Sequence, residues 1–222
     1  MASFRVVFFW NSVMVLLVGV VSLATLGLNL FDGSVRGLFF PPCLATYPGA
    51  GLFFLAFQML FYLAVMVCLF TYGLLRLTQP VGVASLREHR QENKFILYSA
   101  LFTGYFLFNE VFRTHVHLGR MGIPKVLVVA SYFGLAIVYG VIFRRQIQQT
   151  PYLLLVSGVA LLAIAFLAEG LMTQLDLGND HLESIIEGIP KLLSGVNTAL
   201  YFWFTCRDQL LRSLNFSRPN FS

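Results

Sequence analysis

Six long apolar runs constrain the fold of this chain more than any other feature. They cover residues 6–30, 51–75, 95–112, 126–143, 152–172 and 186–206. A helix needs about 20 mostly apolar residues to cross a hydrocarbon core ~30 Å thick, so each run predicts a transmembrane helix. Since no break between the runs is long enough for a soluble domain, residues 1–222 are predicted to form one all-α domain, a six-helix transmembrane bundle.

The composition supports an integral membrane protein that contacts the lipid bilayer. Hydrophobic residues make up 58% of the chain and charged residues 11%, against about 25% charged in an ordinary soluble domain. The mean hydropathy is +0.77. The net charge is +5, but the basic residues lie in short breaks and form no patch interleaved with aromatics, which argues against nucleic acid as a partner.

The distribution of Lys and Arg predicts the orientation. With a cytoplasmic N-terminus, the inner side holds Arg5, Arg76, Arg87, Arg90, Lys94, Arg144, Arg145, Arg207, Arg212 and Arg218. The outer side holds Arg36, Arg113, Arg120 and Lys125. Since positive residues favour the cytoplasmic side, both termini are predicted to be cytoplasmic.

Ionisable residues cluster toward the outer ends of the third, fifth and sixth predicted helices. Those expected to bind a proton or substrate are Glu110, Arg113, His117, Glu169, Glu187 and Lys191. On the sixth helix, Ser194 and Thr198 extend Glu187 and Lys191 into a polar stripe at steps of three and four residues, which share one helix face. Such a stripe is expected to face protein or water rather than lipid.

These charges predict partners, because an ionised side chain at mid-bilayer costs about 2.5–3.5 kcal/mol on insertion scales. We expect Lys191 to pair with Glu110 or Glu169, and Arg113 to pair with Glu187. Glu110 is the predicted titrating group. Pro190 allows two interpretations: a weak point in the helix beside the site, or a harmless position in the first helical turn.

Three functions fit this pattern. The first is proton- or ion-coupled transport of a small solute, with carboxylates and histidines as the titrating groups. The second is a metal-dependent membrane enzyme acting on a lipid-like substrate, with His115, His117 and His181 as metal ligands. The third is a non-catalytic accessory or receptor-like subunit with a membrane-protein partner. A purely structural role, in which ion pairs fix the helix register, is the alternative to all three. No catalytic residue and no cofactor is assigned.

Two segments carry a resemblance. Glu110 and His115 at the end of a middle helix, with the late segment EGIPKLLSG from Glu187 to Gly195, resemble small, uncharacterised polytopic bacterial membrane proteins. The resemblance implies a setting, the bacterial inner membrane, and no activity. Cys68 and Cys206 fall inside predicted helices and are expected to be small core residues.

Overall fold

The computed structural model describes residues 2–27, 36–39, 51–77, 83–175 and 180–216. All regular secondary structure in these residues is helical, which confirms the predicted all-α class. The helices of the described residues are α1 (Ala2–Gly27), α2 (Arg36–Phe39), α3 (Leu52–Leu77), α4 (Val83–Val111), α5 (Thr114–Arg120), α6 (Lys125–Ile142), α7 (Arg144–Gln148), α8 (Tyr152–Leu175) and α9 (Asp180–Phe216).

Each predicted span lies mainly within one long helix, namely α1, α3, α4, α6, α8 or α9. Two of these helices extend well beyond their apolar runs. α4 begins at Val83, so most of the polar stretch predicted as a break before residue 95 is helical. α9 has 37 residues, a length of about 55 Å at 1.5 Å per residue. Hydropathy did not predict these ends because they are polar. Arg, Glu, Gln and Lys are nevertheless good helix formers, so the helices continue through them.

Two of the described helices are long and apolar enough to cross a bilayer, Phe4–Thr25 and Leu52–Leu77. Two further apolar stretches, Val126–Ile142 and Tyr152–Ala168, have 17 residues or fewer. α4 and α9 carry many charged and amide side chains along their length, which makes them less apolar than the other long helices. The predicted count of six spans is therefore not confirmed.

The chain divides into two compact units, which we call the first and the second unit. The first unit comprises Met1–Leu60 and Leu153–Thr198, and the second comprises Phe61–Tyr152 and Ala199–Ser222. The prediction of a single domain stays a prediction.

In the first unit, aromatic side chains join α2, α3 and α9. Phe39 on α2 packs against Phe53 on α3 with ring centroids 4.9 Å apart. A Cβ atom on Gly195 would lie 3.2 Å from the ring of Phe57. The α9 backbone therefore approaches α3 closely at this glycine.

In the second unit, the core contains aromatic rings and two thiols. Phe95 on α4 packs against Tyr139 on α6 with centroids 6.2 Å apart, and the Tyr139 hydroxyl hydrogen-bonds the Ser99 hydroxyl at 2.6 Å. The Sγ atoms of Cys68 and Cys206 are 3.9 Å apart, and both residues are fully buried free cysteines. The prediction that these two cysteines belong to the core is confirmed.

Candidate functional site

The polar stripe of α9 is buried. Glu187, Ser194 and Thr198 are 4%, 1% and 8% exposed, and their spacing places them on one face of the helix. Tyr201 and Thr205, which continue the stripe, are also buried. The prediction that this face contacts protein or water is confirmed for these residues.

Lys191 forms a salt bridge with Glu187, one turn earlier on α9. Its Nζ donates a hydrogen bond to Glu187 Oε1 and lies 5.6 Å from the centroid of the Phe166 ring on α8. Moving such charges out of water costs several kcal/mol per ion. The carboxylate offsets part of this cost, and a cation–π contact of a partly exposed ammonium contributes about 0.5–2 kcal/mol more. The ammonium is thus held by a carboxylate and an aromatic face within the first unit.

The α9 backbone beside this pair lies against an aromatic ring. A Cβ atom on Gly188 would stand 2.0 Å from the nearest atom of the Phe39 ring, so any larger residue requires this ring to move. Two residues further on, Pro190 lies in the interior of α9, which begins at Asp180, and the first-turn interpretation is wrong. Because proline lacks an N–H, the Ile186 carbonyl loses its usual helical donor. The Glu187–Lys191 pair therefore spans a helical turn that lacks one backbone hydrogen bond.

Two asparagine side chains join α1 to α9 in the first unit. Asn197 Nδ2 donates to Asn11 Oδ1 at 2.8 Å, and Asn11 Nδ2 donates to Asn197 Oδ1 at 3.2 Å. Each amide also donates to its own helix, Asn11 to the Val7 carbonyl and Asn197 to the Leu193 carbonyl. Asn197 is fully buried, so this reciprocal pair satisfies polar atoms that have no access to water.

A glycine allows α8 to approach the same face of α9. A Cβ atom on Gly158 would lie 3.1 Å from Thr198 Oγ1 and 3.4 Å from the Ser194 carbonyl oxygen. Small residues permit such close helix contacts. On α6, by contrast, a Cβ atom on Gly134 would meet nothing within 4 Å.

In the second unit, a carboxylate and an amide are buried where α4 ends. Glu110 and Asn109 are 8% and 5% exposed, and Asn109 Nδ2 donates to the Tyr105 carbonyl at 2.8 Å. The ring of Tyr132 on α6 lies edge-on to Tyr105, and its buried hydroxyl has no hydrogen-bond partner among the described residues. The chain then turns at Arg113, which adopts a left-handed conformation with φ 47°. Glu110 is thus buried at the end of α4.

The predicted metal ligands His115 and His117 lie on the short helix α5. Residues two apart on a helix point about 200° away from each other; only an extended chain would direct both side chains to one point. The side chains of His115 and His181 lie outside the described residues. Among the described side chains, no three His, Cys, Asp or Glu residues form a group that fits a metal ion. The metal site stays a prediction.

The predicted pairs between helices also stay predictions: Lys191 with Glu110 or Glu169, and Arg113 with Glu187. The Glu169 side chain lies outside the described residues. The contact that the structure shows for Lys191 runs along its own helix to Glu187. The four-residue spacing could have predicted this pair, because a glutamate four residues before a lysine is the favourable helical order.

Sequence reasoning missed three residues of this site: Asn11, Asn197 and Phe39. A signal existed for Asn11, since an amide inside an apolar run needs a partner. Asn197 lies one residue before Thr198, so it does not fall on a three- or four-residue step of the stripe and the stripe did not predict it. No local signal connects Phe39 with Gly188, because they are distant in the sequence.

Comparison with known proteins gives a match at the level of a family. A protein-family model, described as a domain of unknown function (DUF8692), matches residues 7–207. No curated protein and no solved structure matches the chain. The match names no activity, location or source.

Proposed function

We propose that this chain, which belongs to the DUF8692 family, is an integral membrane protein that binds a proton or small ion at Glu187 and Lys191. In this proposal, the binding is coupled to the transport of a small solute, loosely enough that protons also cross when the solute is absent. The observation that carries it is the ion pair between the buried Glu187 and the partly buried Lys191 on a polar helix face. Ionisable residues in such a position mark ion and substrate pathways in membrane proteins.

The distribution of exposed residues supports a lipid environment. Ser99 and Asn197 are 0% exposed, whereas Leu16 and Phe70 are 69% and 67% exposed. Large apolar side chains cover the outer faces of α1, α3, α6 and α8. Exposed apolar area costs about 25 cal/mol per Å² in water, and large exposed apolar surfaces mark membrane or protein contacts.

In the proposed topology, the six long helices each cross the bilayer once and both termini are cytoplasmic, in the inner membrane of a bacterium. The apolar stretches of α6 and α8 reach the lower limit of about 17 residues for a span. The excess of Lys and Arg on the inner side supports the orientation. In a eukaryotic host, the sequons at Asn215 and Asn220 are expected to stay bare, and a glycan on either would contradict the orientation.

The ion pair suggests how the site works. A proton that binds Glu187 neutralises the carboxylate and weakens its hold on the Lys191 ammonium. When the proton leaves, the salt bridge forms again. The adjacent helix segment at Pro190 lacks one backbone hydrogen bond, so it can respond to this change at lower cost than a regular helix. Glu110 is the second carboxylate that we expect to titrate.

Proton flux in proteoliposomes tests the proposal. The purified protein is reconstituted with a pH-sensitive dye inside the vesicles, and an inward potential is imposed. We expect flux above protein-free vesicles, reduced at least tenfold by Glu187→Gln. Arg207→Gln is the matched control, because it removes an exposed ion pair with Asp208 on the same helix and should leave the flux unchanged.

Two results would contradict the proposal. Wild-type flux equal to that of empty vesicles under all gradients would exclude proton transport. Full flux in a folded Glu187→Gln protein would show that the pair fixes the helix register and does not carry the proton.

A non-catalytic accessory subunit is the second candidate, and the first helix favours it. Only 6% of the residues in the apolar window of α1 are buried, and Phe8, Leu16 and Leu23 are exposed. A photocrosslinker at position 16 tests it in the native membrane. One discrete protein adduct would support a partner helix, and lipid adducts alone would exclude it.

A further inference from the structure

A second polar site lies within the second unit, apart from the residues of the proposed transport function. It is a cleft of about 30 Å³, which is enough for two water-sized groups. Its walls come from α4, from α7 with the turn that follows it, and from α9. The lining side chains that carry the argument are Glu92, Gln149, Thr205, Asp208, Gln209 and Arg212.

The back of the cleft is held in place by hydroxyl groups. Thr150 Oγ1 donates to the Ile147 carbonyl at 2.6 Å and lies 3.1 Å from the Tyr201 hydroxyl. Since Thr150 has one proton and gives it to Ile147, Tyr201 donates to Thr150. This bond attaches the turn after α7 to α9, so the packing of the unit holds the back wall of the cleft in place.

Two buried oxygen atoms line the cleft without hydrogen-bond partners among the described residues. They are Thr205 Oγ1 and Gln209 Oε1, on residues that are 1% and 8% exposed. A buried polar atom that lacks a partner destabilises the folded state, and native proteins satisfy most such atoms. These two oxygens, one helical turn apart on α9, therefore indicate a ligand that provides positive charge or hydrogen-bond donors.

The oxygen atoms of the lining favour a cation. Glu92, Asp208 and Arg212 are the charged residues of the lining, and Asp208 also pairs with Arg207, so the choice of ligand rests on the neutral oxygens. Most of the remaining lining groups are amides and hydroxyls. Neutral oxygens of this kind replace the hydration shell of a weakly hydrated monovalent cation, whereas Ca²⁺ takes six to eight oxygens, several from carboxylates.

We propose that this cleft binds a monovalent cation of about the size of water, K⁺ or NH₄⁺, on Thr205 Oγ1 and Gln209 Oε1. Glu92 and Asp208 lie in the same lining. The site does not include Glu187 or Lys191, so its test is independent of the proposed transport function.

The test is a titration of the full-length protein in detergent. The protein is prepared in choline chloride, and KCl or NH₄Cl is added at constant ionic strength. The readouts are the Tm, from Trp fluorescence, and the heat of binding. We expect the Tm to rise with saturation, because a ligand that binds only the folded state stabilises it. Substituting potassium gluconate for KCl should give the same curve, since the ligand is the cation.

Two variants and a control complete the experiment. Gln209→Met keeps the length of the side chain and removes the amide, and it should weaken K⁺ binding at least tenfold. In choline it should be as stable as the wild type or more stable, because a buried oxygen without a partner has been removed. Thr205→Val should weaken binding in the same direction. Gln148→Met changes an exposed glutamine on α7 and should bind K⁺ like the wild type.

The wild-type titration decides the proposal even if one variant fails to fold. Equal Tm values in K⁺, NH₄⁺ and choline, with no heat of binding, would overturn it. So would K⁺ affinity that is unchanged in both folded variants. A shift that follows the anion would overturn the assignment of a cation.

Discussion

The contact between Gly188 and Phe39 gives the sharpest prediction for the first unit. In Gly188→Ala, the added Cβ would lie 2.0, 2.5 and 2.7 Å from three ring atoms of Phe39. Ordinary contact begins near 3.4 Å, so the nearest ring atom has to move by 3.4 minus 2.0, which is 1.4 Å. The ring is 5% exposed and packs against Phe53, so it has little room.

The expected magnitude combines two effects. Overpacking a core costs about 1–3 kcal/mol, and a rigid buried ring places this substitution at the upper end. Alanine favours a helix over glycine by about 0.8–1.0 kcal/mol, which offsets part of the cost. The net loss for Gly188→Ala is therefore about 2 kcal/mol. At about 2–4 °C per kcal/mol for a chain of this size, the Tm should fall by about 4–8 °C.

Thermal unfolding in detergent measures this change. Gly19→Ala on α1 is the matched control, because a Cβ there meets nothing within 4 Å, and it should leave the Tm unchanged or raise it. Phe39→Ala alone should cost about 3–5 kcal/mol. Adding Gly188→Ala to Phe39→Ala should cost nothing further, since the ring that it would meet is gone.

Two outcomes would refute the packing argument. The first is a Gly188→Ala protein as stable as Gly19→Ala. The second is a Gly188→Ala cost that persists in full when Phe39 is already alanine, which would show that the loss has another cause.

Two further predictions concern buried polar and thiol pairs. In a double-mutant cycle with Asn11→Leu and Asn197→Leu, the coupling energy should be about 0.6–2 kcal/mol, measured by thermal or detergent unfolding; additive effects would contradict the amide pair. In a Cys43→Ser background, a maleimide dye should label no thiol in the folded protein and two in the unfolded protein, because Cys68 and Cys206 are buried; rapid labelling of the folded protein would contradict their place in the core.

The sequence predicted the long helices because their signal is local. An apolar run such as residues 126–143 holds its own helix-forming and hydropathy information, and α6 spans Lys125–Ile142. The polar start of α4 and the short helices α5 and α7 have no such signal. Their residues are polar or only weakly apolar, so hydropathy predicted breaks between spans at these positions.

The candidate site was predictable only in part. The polar stripe of α9 follows from spacing alone, since one helix fixes its own faces. The partner of Asn197 is 186 residues away, and the ring that faces Gly188 belongs to a four-residue helix. Such contacts depend on tertiary packing, which a helical period does not contain. The cleft near Gln209 is assembled from three distant segments and was missed for the same reason.

The amide pair between Asn11 and Asn197 also has a consequence for biosynthesis. The sequence separation of 186 residues between the two side chains takes about 10–40 s to synthesise at 5–20 residues per second. During that interval Asn11 has no Asn197 to bind. Its bond to the Val7 carbonyl, within its own helix, gives the amide a partner from the start. In the proposed membrane protein, α1 can therefore enter the bilayer before the helix that it will bind exists, and its docking belongs to the last stage of folding.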